Sequence, residues 1–176
     1  MIIDNRDIIV AVGETGFDHH YLDGSDGGKM SVDMANFSPK AREQIENQKH
    51  WWLAQWELAE KYDLPLVIHT RDARDATLEF MKQHALSRCV MHCFSEDYGF
   101  ARELLDFSSD IYFSFSGILT YKNAQKVQEA ASKIPLDRIL IETDSPFLAP
   151  QPVRGQVCEP AFTHYTLEKL VELRTE

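Results

Sequence analysis

What most constrains the fold is a pattern that recurs five times. A short apolar run breaks off into polar side chains within one or two residues, and helix-forming sequence or a turn follows. Its sharpest instance is Arg138 to Pro150, RILIETDSPFLAP. Ile139-Leu140-Ile141 is apolar and branched, which predicts a fully buried strand. Glu142, Thr143, Asp144 and Ser145 are polar, and Pro146 ends ladder pairing because it has no N–H. A buried strand that delivers carboxylates at its C-terminal tip and then stops is how an α/β fold presents chemistry.

The other instances follow in chain order. In RDIIVAVGETGFD (6–18) the apolar run Ile8 to Val12 predicts a buried strand that ends at Glu14, with Gly13 and Gly16 giving the turn. In LPLVIHTRD (64–72) Leu66-Val67-Ile68 predicts a strand with His69 at its exit and Arg71-Asp72 just beyond. RCVMHCFS (88–95) repeats the plan, with Val90 and His92 at the same parity and a polar exit at Ser95. IYFSFSG (111–117) alternates Ile111, Phe113 and Phe115 with Tyr112, Ser114 and Ser116. No Gly-x-Ser-x-Gly elbow surrounds these serines, so they are not read as nucleophiles.

Helices are predicted between these runs. Ser38-Pro39 followed by Ala41 and Glu43 marks a capped helix start. In QKHWWLAQWELAEKY (48–62), Trp52, Trp56 and Ala59 share a face, with Leu58 and Tyr62 on an adjoining stripe. The three tryptophans are read as packing, not as a platform for stacked bases. Further helices carry Leu78 and Met81, then Ala101, Leu104 and Leu105, then residues 123–134. A last one begins at Pro160 with Tyr165, Leu167, Leu170 and Val171 inward. Residues 19–47 are rich in Gly, Asp and Ser and predict a surface excursion. Asp23 and Asp26 faintly suggest a calcium loop. However, Ser25 and Gly27 occupy ligand positions and Met34 stands where a Glu is needed, so none is expected.

Repeated β-α units with short connections give a parallel sheet with helices outside. At 176 residues the chain supports one domain with a real core. The net charge of −10 argues against a protein that grips long nucleic acid with a basic surface. It does not exclude an enzyme that takes a phosphodiester end into a metal site, where cations reverse the local field. No window is apolar and long enough for a transmembrane helix, and MIIDNRDIIVAVGETG lacks signal-peptide features. Cys89, Cys93 and Cys158 form no Cys-x-x-Cys pair and are expected as free thiols of a cytoplasmic protein with no membrane partner.

The ends of the apolar runs carry Glu14, His69, His92 and Asp144. In a parallel sheet or barrel such tips converge at one rim. Two imidazoles and two carboxylates meeting there would make a divalent metal site, for Zn, Mn, Fe or Mg according to geometry. The remaining histidines, His19, His20, His50, His84 and His164, are read as solvated or structural. With no phosphate-binding glycine loop, a nucleotide cofactor has no sequence support.

Taken in order, GETGFD (13–18), LVIHTRDA (66–73), MHCFS (91–95), FSFSGI (113–118) and LIETDSPFLAP (140–150) resemble the successive strand-end motifs of the TatD-type deoxyribonucleases. These are metal-dependent hydrolases of the amidohydrolase superfamily. The resemblance implies a TIM-type (β/α) barrel that hydrolyses nucleic-acid phosphodiesters, typically from a 3′ end, with divalent Mg, Mn or Zn. It implies that Glu14 bridges two ions, that His69 and His92 complete one site, and that Asp144 serves the other. Glu14 and Asp144 would be the catalytic carboxylates, and Arg71 and Arg154 would hold substrate phosphate. DNA, as single strands or 3′ ends, would be the partner.

Two departures matter. The family opens with a strand carrying His-x-His, a motif found nowhere in this sequence. Its Arg-Gly-x-x-Asn-Glu-Pro segment reads here as Arg154 to Pro160, with Cys158 in place of the Asn. A full barrel takes roughly 250 residues. The expectation is therefore an incomplete TIM-type barrel: α/β, about five parallel strands with outer helices, a single partial domain over 1–176 with a surface insertion at 22–47. Open sheet edges would favour self-association. The alternative expectation is a truncated remnant that binds a metal or a partner chain without turnover.

Overall fold

The computed structural model describes residues 2–23 and 37–175. Ser25, Asp26, Gly27 and Met34, on which the calcium-loop question turned, lie outside the described residues. The elements alternate as the sequence pattern predicts: β1 (Val12–Asp18), α1 (Pro39–Lys61), β2 (Leu66–Arg71), α2 (Arg74–Gln83), β3 (Cys89–Met91), α3 (Tyr98–Phe107), β4 (Ile111–Phe115), α4 (Gln125–Lys133), β5 (Ile139–Ile141) and α5 (Thr163–Thr175). The strands stand in the sheet in chain order, β1-β2-β3-β4-β5, with parallel pairing at β1/β2 and β4/β5. No helix among the described residues is long and apolar enough to cross a membrane. The chain divides into two units, residues 1–90 and 91–176.

In the first unit, α1 begins where the sequence signals it. The Ser38 hydroxyl accepts the Ala41 N–H at 3.0 Å, and Pro39 occupies the first turn, where its missing N–H costs nothing. Residues 39–47 are therefore helix and not part of the predicted loop. Ala41, Ile45, Trp52 and Ala59 are the buried face of α1, which packs on β1. Trp52 is the keystone: its ring meets Phe17 edge-on at 4.9 Å and lies tilted against Phe80 at 4.5 Å. Removing a fully buried indole costs about 3–5 kcal/mol.

One expectation fails here. The apolar run Ile8 to Val12 is not a buried strand: Ile8 is 69% exposed and Val10 is 78% exposed. The strand lies further on, over the glycine-containing Val12–Asp18. Hydrophobicity marked the wrong segment because β1 owes its pairing to backbone approach, which glycine permits and which no apolar count detects.

In the second unit, Phe94, Phe113 and Phe115 meet at near-right angles, 5.0 and 5.9 Å between ring centres, and Phe100 stacks on Phe94 at 6.2 Å. Asp97 caps α3 by accepting the Phe100 N–H at 2.9 Å. β5 is not fully buried as expected. Ile139 and Ile141 are half-buried and Leu140 is 43% exposed, because β5 ends the strand order and is paired on one side only. α5 likewise buries Thr166 and Leu170 rather than the wider stripe predicted, leaving Leu167 and Val171 exposed.

Candidate functional site

In the first unit, Glu14 and His69 stand inside their strands rather than at the tips. Val12 pairs with Leu66 and Thr15 with Ile68, so β1 advances three residues while β2 advances two. That is a β-bulge, and it places Glu14 on the exposed side while Val12, Thr15 and Phe17 are buried. Gly16 lies opposite His69, and any Cβ there would run into the His69 carbonyl. The glycine makes no turn; it lets β1 lie against the strand that carries the imidazole. Pairing then continues through Asp18 opposite Arg71.

Asp18 is held from the helix side. Its N–H donates to Gln48 Oε1 at 3.1 Å, and Gln48 Nε2 donates to its carbonyl at 2.9 Å. The side chain of Gln48 thus takes the place of a ladder neighbour. The Asp18 carboxylate also receives the His20 N–H at 2.8 Å, while His20 Nδ1 donates to Asp72 at 2.7 Å. His69 Nε2 lies 3.4 Å from Asp18 Oδ2, and among the described residues it is buried without a hydrogen-bond partner. Glu14, Asp18 and His69 share a pocket of about 430 Å³ with Gln48 and Trp51 of α1.

His19, buried beside Phe17 and Phe37, is a packed residue rather than a solvated one. Burial lowers its pKa against the opposing pull of Asp18 and Asp72. Arg71 is exposed; its Nη1 reaches the Tyr21 hydroxyl at 3.4 Å and its guanidinium lies 5.1 Å from the Tyr21 ring centre.

In the second unit, β3 ends at Met91 and the chain turns sharply. Cys93 has φ of +45°, a conformation non-glycine residues enter only at a cost of about 1–3 kcal/mol. Glu142, immediately after β5, holds that turn with both carboxylate oxygens. Oε1 accepts the Cys93 N–H at 2.8 Å and Oε2 accepts from His92 Nδ1 at 2.9 Å. With its proton on Nδ1, His92 directs Nε2 towards Asp144 Oδ1 at 3.4 Å. A carboxylate behind an imidazole is the arrangement that fixes ring orientation and tautomer for a metal-ligating histidine. Asp144 accepts the Phe147 N–H on its own carbonyl at 2.8 Å, which pins the turn that follows it. Arg154 is exposed and lies 4.0 Å over the Tyr121 ring, whose hydroxyl donates to the Ala149 carbonyl at 3.0 Å. Burial raises the Tyr121 pKa, partly offset by Arg154. Cys158 is buried.

Each unit thus joins sequence-predicted residues: Glu14 with His69 in one pocket, and His92 with Asp144 at 3.4 Å. Among the described residues no group of three or more His, Cys, Asp or Glu forms a ready-made metal cluster. The donor chemistry nevertheless fits a divalent cation. A buried ring nitrogen with no partner costs about 1–3 kcal/mol, and a cation relieves that cost. His69 Nε2 is such a nitrogen, and carboxylates line its pocket. Three contributors escaped the sequence reading: Glu142, Asp18 and Gln48. The only trace of Glu142 was a second carboxylate two residues before Asp144, and of Gln48 an amide on a strand-facing helix.

Parallel α/β folds carry their chemistry at the C-terminal ends of the strands, and imidazoles and carboxylates stand on and just beyond the strands here. The family model described as TatD related DNase matches residues 2–176, and the chain belongs to that family. It is 36% identical over 168 residues to the uncharacterized metal-dependent hydrolase YcfH of Escherichia coli K12, covering 94% of this chain and 56% of YcfH. It is 37% identical over 168 residues to the uncharacterized metal-dependent hydrolase YabD of Bacillus subtilis, covering 94% of this chain and 58% of YabD. The crystal structure of YJJV, a TatD homologue from Escherichia coli K12, superposes with a TM-score of 0.77 at 30% identity, covering 99% of this chain and 60% of that one. A TatD family hydrolase from Entamoeba histolytica shares the fold, with a TM-score of 0.71 at 17% identity. The chain thus spans 56–58% of the length of these two curated relatives.

Proposed function

We propose that the chain acts as a metal-dependent hydrolase of nucleic-acid phosphodiester bonds, removing nucleotides from the 3′ ends of single-stranded DNA. The observation that carries this is the buried His69 Nε2, without a hydrogen-bond partner among the described residues, in a pocket with Glu14 and Asp18, in a member of the TatD related DNase family.

Glu14 and His69 in the first unit, and His92 and Asp144 in the second, are the side chains that would ligate Mg, Mn or Zn. When bound, such a cation supplies Lewis acidity towards phosphoryl oxygen and makes water acidic enough to act at neutral pH. The chain's own groups do the rest. Glu142 keeps the His92 proton on Nδ1 and so leaves Nε2 as a lone-pair donor. The Asp144 carboxylate, 3.4 Å from that nitrogen, can accept a proton from water. Arg71 and Arg154 lie against tyrosine rings, which leaves guanidinium N–H edges for phosphate oxygens. A net charge of −10 supports short contacts at a strand end over a grip on long duplex.

The test uses the chelator-stripped chain, a single-stranded oligonucleotide labelled at its 3′ terminus, and added Mg, Mn or Zn. Metal-dependent release of 3′ nucleotides is expected. Glu14→Ala and His69→Ala should each lower the rate by more than about 100-fold, beyond what loss of an outer-shell partner brings. Turnover that survives both substitutions, or none with any of the three metals, overturns the proposal.

A further inference from the structure

The three tryptophans of α1 do not share one role. Trp52 is fully buried in the Phe17–Phe80 cluster, whereas Trp51 is 63% exposed and lines the pocket that holds Glu14 and His69. One residue along a helix is a turn of about 100°, so neighbours in sequence face different surroundings. Asn47 and Gln55 stand four residues before and after Trp51, on the same helix stripe, and both line the same pocket. The pocket thus has, from α1, an indole between the Asn47 and Gln55 carboxamides with Gln48 beside them, and, from β1 and β2, Glu14, Asp18 and His69.

That chemistry matches a nucleobase. An indole face stacks on any base, and carboxamides offer the paired donor and acceptor that base edges require. The volume of about 430 Å³ is within the range of small-molecule sites. Core packing does not account for Trp51, which is 63% exposed and among the described residues meets only the ring of the neighbouring His50, edge-on at 5.2 Å. We infer that Trp51, with Asn47 and Gln55, forms a base-binding platform that seats the terminal nucleotide beside Glu14 and His69. As a description of substrate seating this rests on the hydrolase proposal, but base binding itself can be measured without turnover.

The experiment titrates the 176-residue chain, without added metal, with deoxyadenosine 5′-monophosphate and with base-free 2-deoxyribose 5-phosphate. Indole emission and calorimetry are the readouts. Wild type should bind the nucleotide more tightly than the base-free phosphate, with quenching of indole emission. Trp51→Ala should weaken nucleotide binding about five- to 150-fold, the range for loss of one stacked base. Trp51→Phe, which keeps an aromatic face, should recover most of it. Circular dichroism checks that the exposed helical site tolerates both changes. Equal affinity for nucleotide and base-free phosphate, no nucleotide binding at millimolar concentration, or unchanged binding in Trp51→Ala overturns the platform. A Trp51-dependent preference for the nucleotide in a chain that shows no metal-dependent turnover upholds the platform and removes the hydrolase proposal alone.

Discussion

His69 and His92 each follow a short apolar run, yet their surroundings hold them in opposite ways. Glu142 grips His92 from behind at 2.9 Å and binds the Cys93 N–H with its other oxygen, so ring and turn are fixed together. The Asp18 carboxylate lies 3.4 Å from His69 Nε2, which among the described residues is buried without a hydrogen-bond partner, and the order nearby lies in the Asp18 backbone clamped by Gln48. One unit spends its polar groups on orienting the imidazole, whereas the other orients the strand and leaves the imidazole to an incoming partner. A histidine's readiness to bind a cation can therefore be set by its second nitrogen or by the backbone around it.

Three experiments break or sharpen this contrast. Glu142→Gln has the largest expected effect, because an amide cannot accept with both atoms. Metal affinity or metal-dependent activity should fall about 10–100-fold, and retained activity would make the grip on His92 incidental. Gln48→Ala comes next. It removes both bonds to Asp18 and should lower stability by about 1–3 kcal/mol in urea unfolding. If stability is unchanged, Gln48 is not what orders the first unit's strand. The smallest effect concerns His19, whose lowered pKa means that the unfolded chain takes up its proton more readily than the folded one. That contribution is whole above the ordinary value of 6.5 and is lost as pH falls through the lowered folded value. Urea unfolding at about pH 7 and pH 5 should show a loss that His19→Gln reduces; an identical loss in the variant assigns the acid sensitivity elsewhere.

Much of the molecule was legible in its sequence. The order of strands and helices follows from apolar runs with polar exits, and the Ser38 cap from the Ser-Pro start of α1. What was hidden depends on backbone geometry or on partners distant in sequence. Ile8 and Val10 read as core but are exposed, while GETGF, poor in apolar residues, is strand because Gly16 permits contact with His69. Glu142 binds residues 49 and 50 positions away, which no local pattern reveals. Adjacent Trp51 and Trp52 read alike until the helix divides them.

The bulge at Gly13–Glu14 also sets an arithmetic for this strand. Buried positions run Val12, Thr15, Phe17, a step of three and then of two. A strictly alternating strand starting at Val12 would instead turn Glu14 and Gly16 inward and expel Phe17 from beside Trp52. The length of this segment therefore matters as much as its composition. Deleting Gly13 would remove the extra residue and let an unbulged strand keep Thr15 and Phe17 inward and Glu14 outward, whereas straightening the strand with every residue present would bury a carboxylate and expose a phenyl ring. To hold both the aromatic core and the outward glutamate, this strand needs the extra residue and the bulge together, or neither.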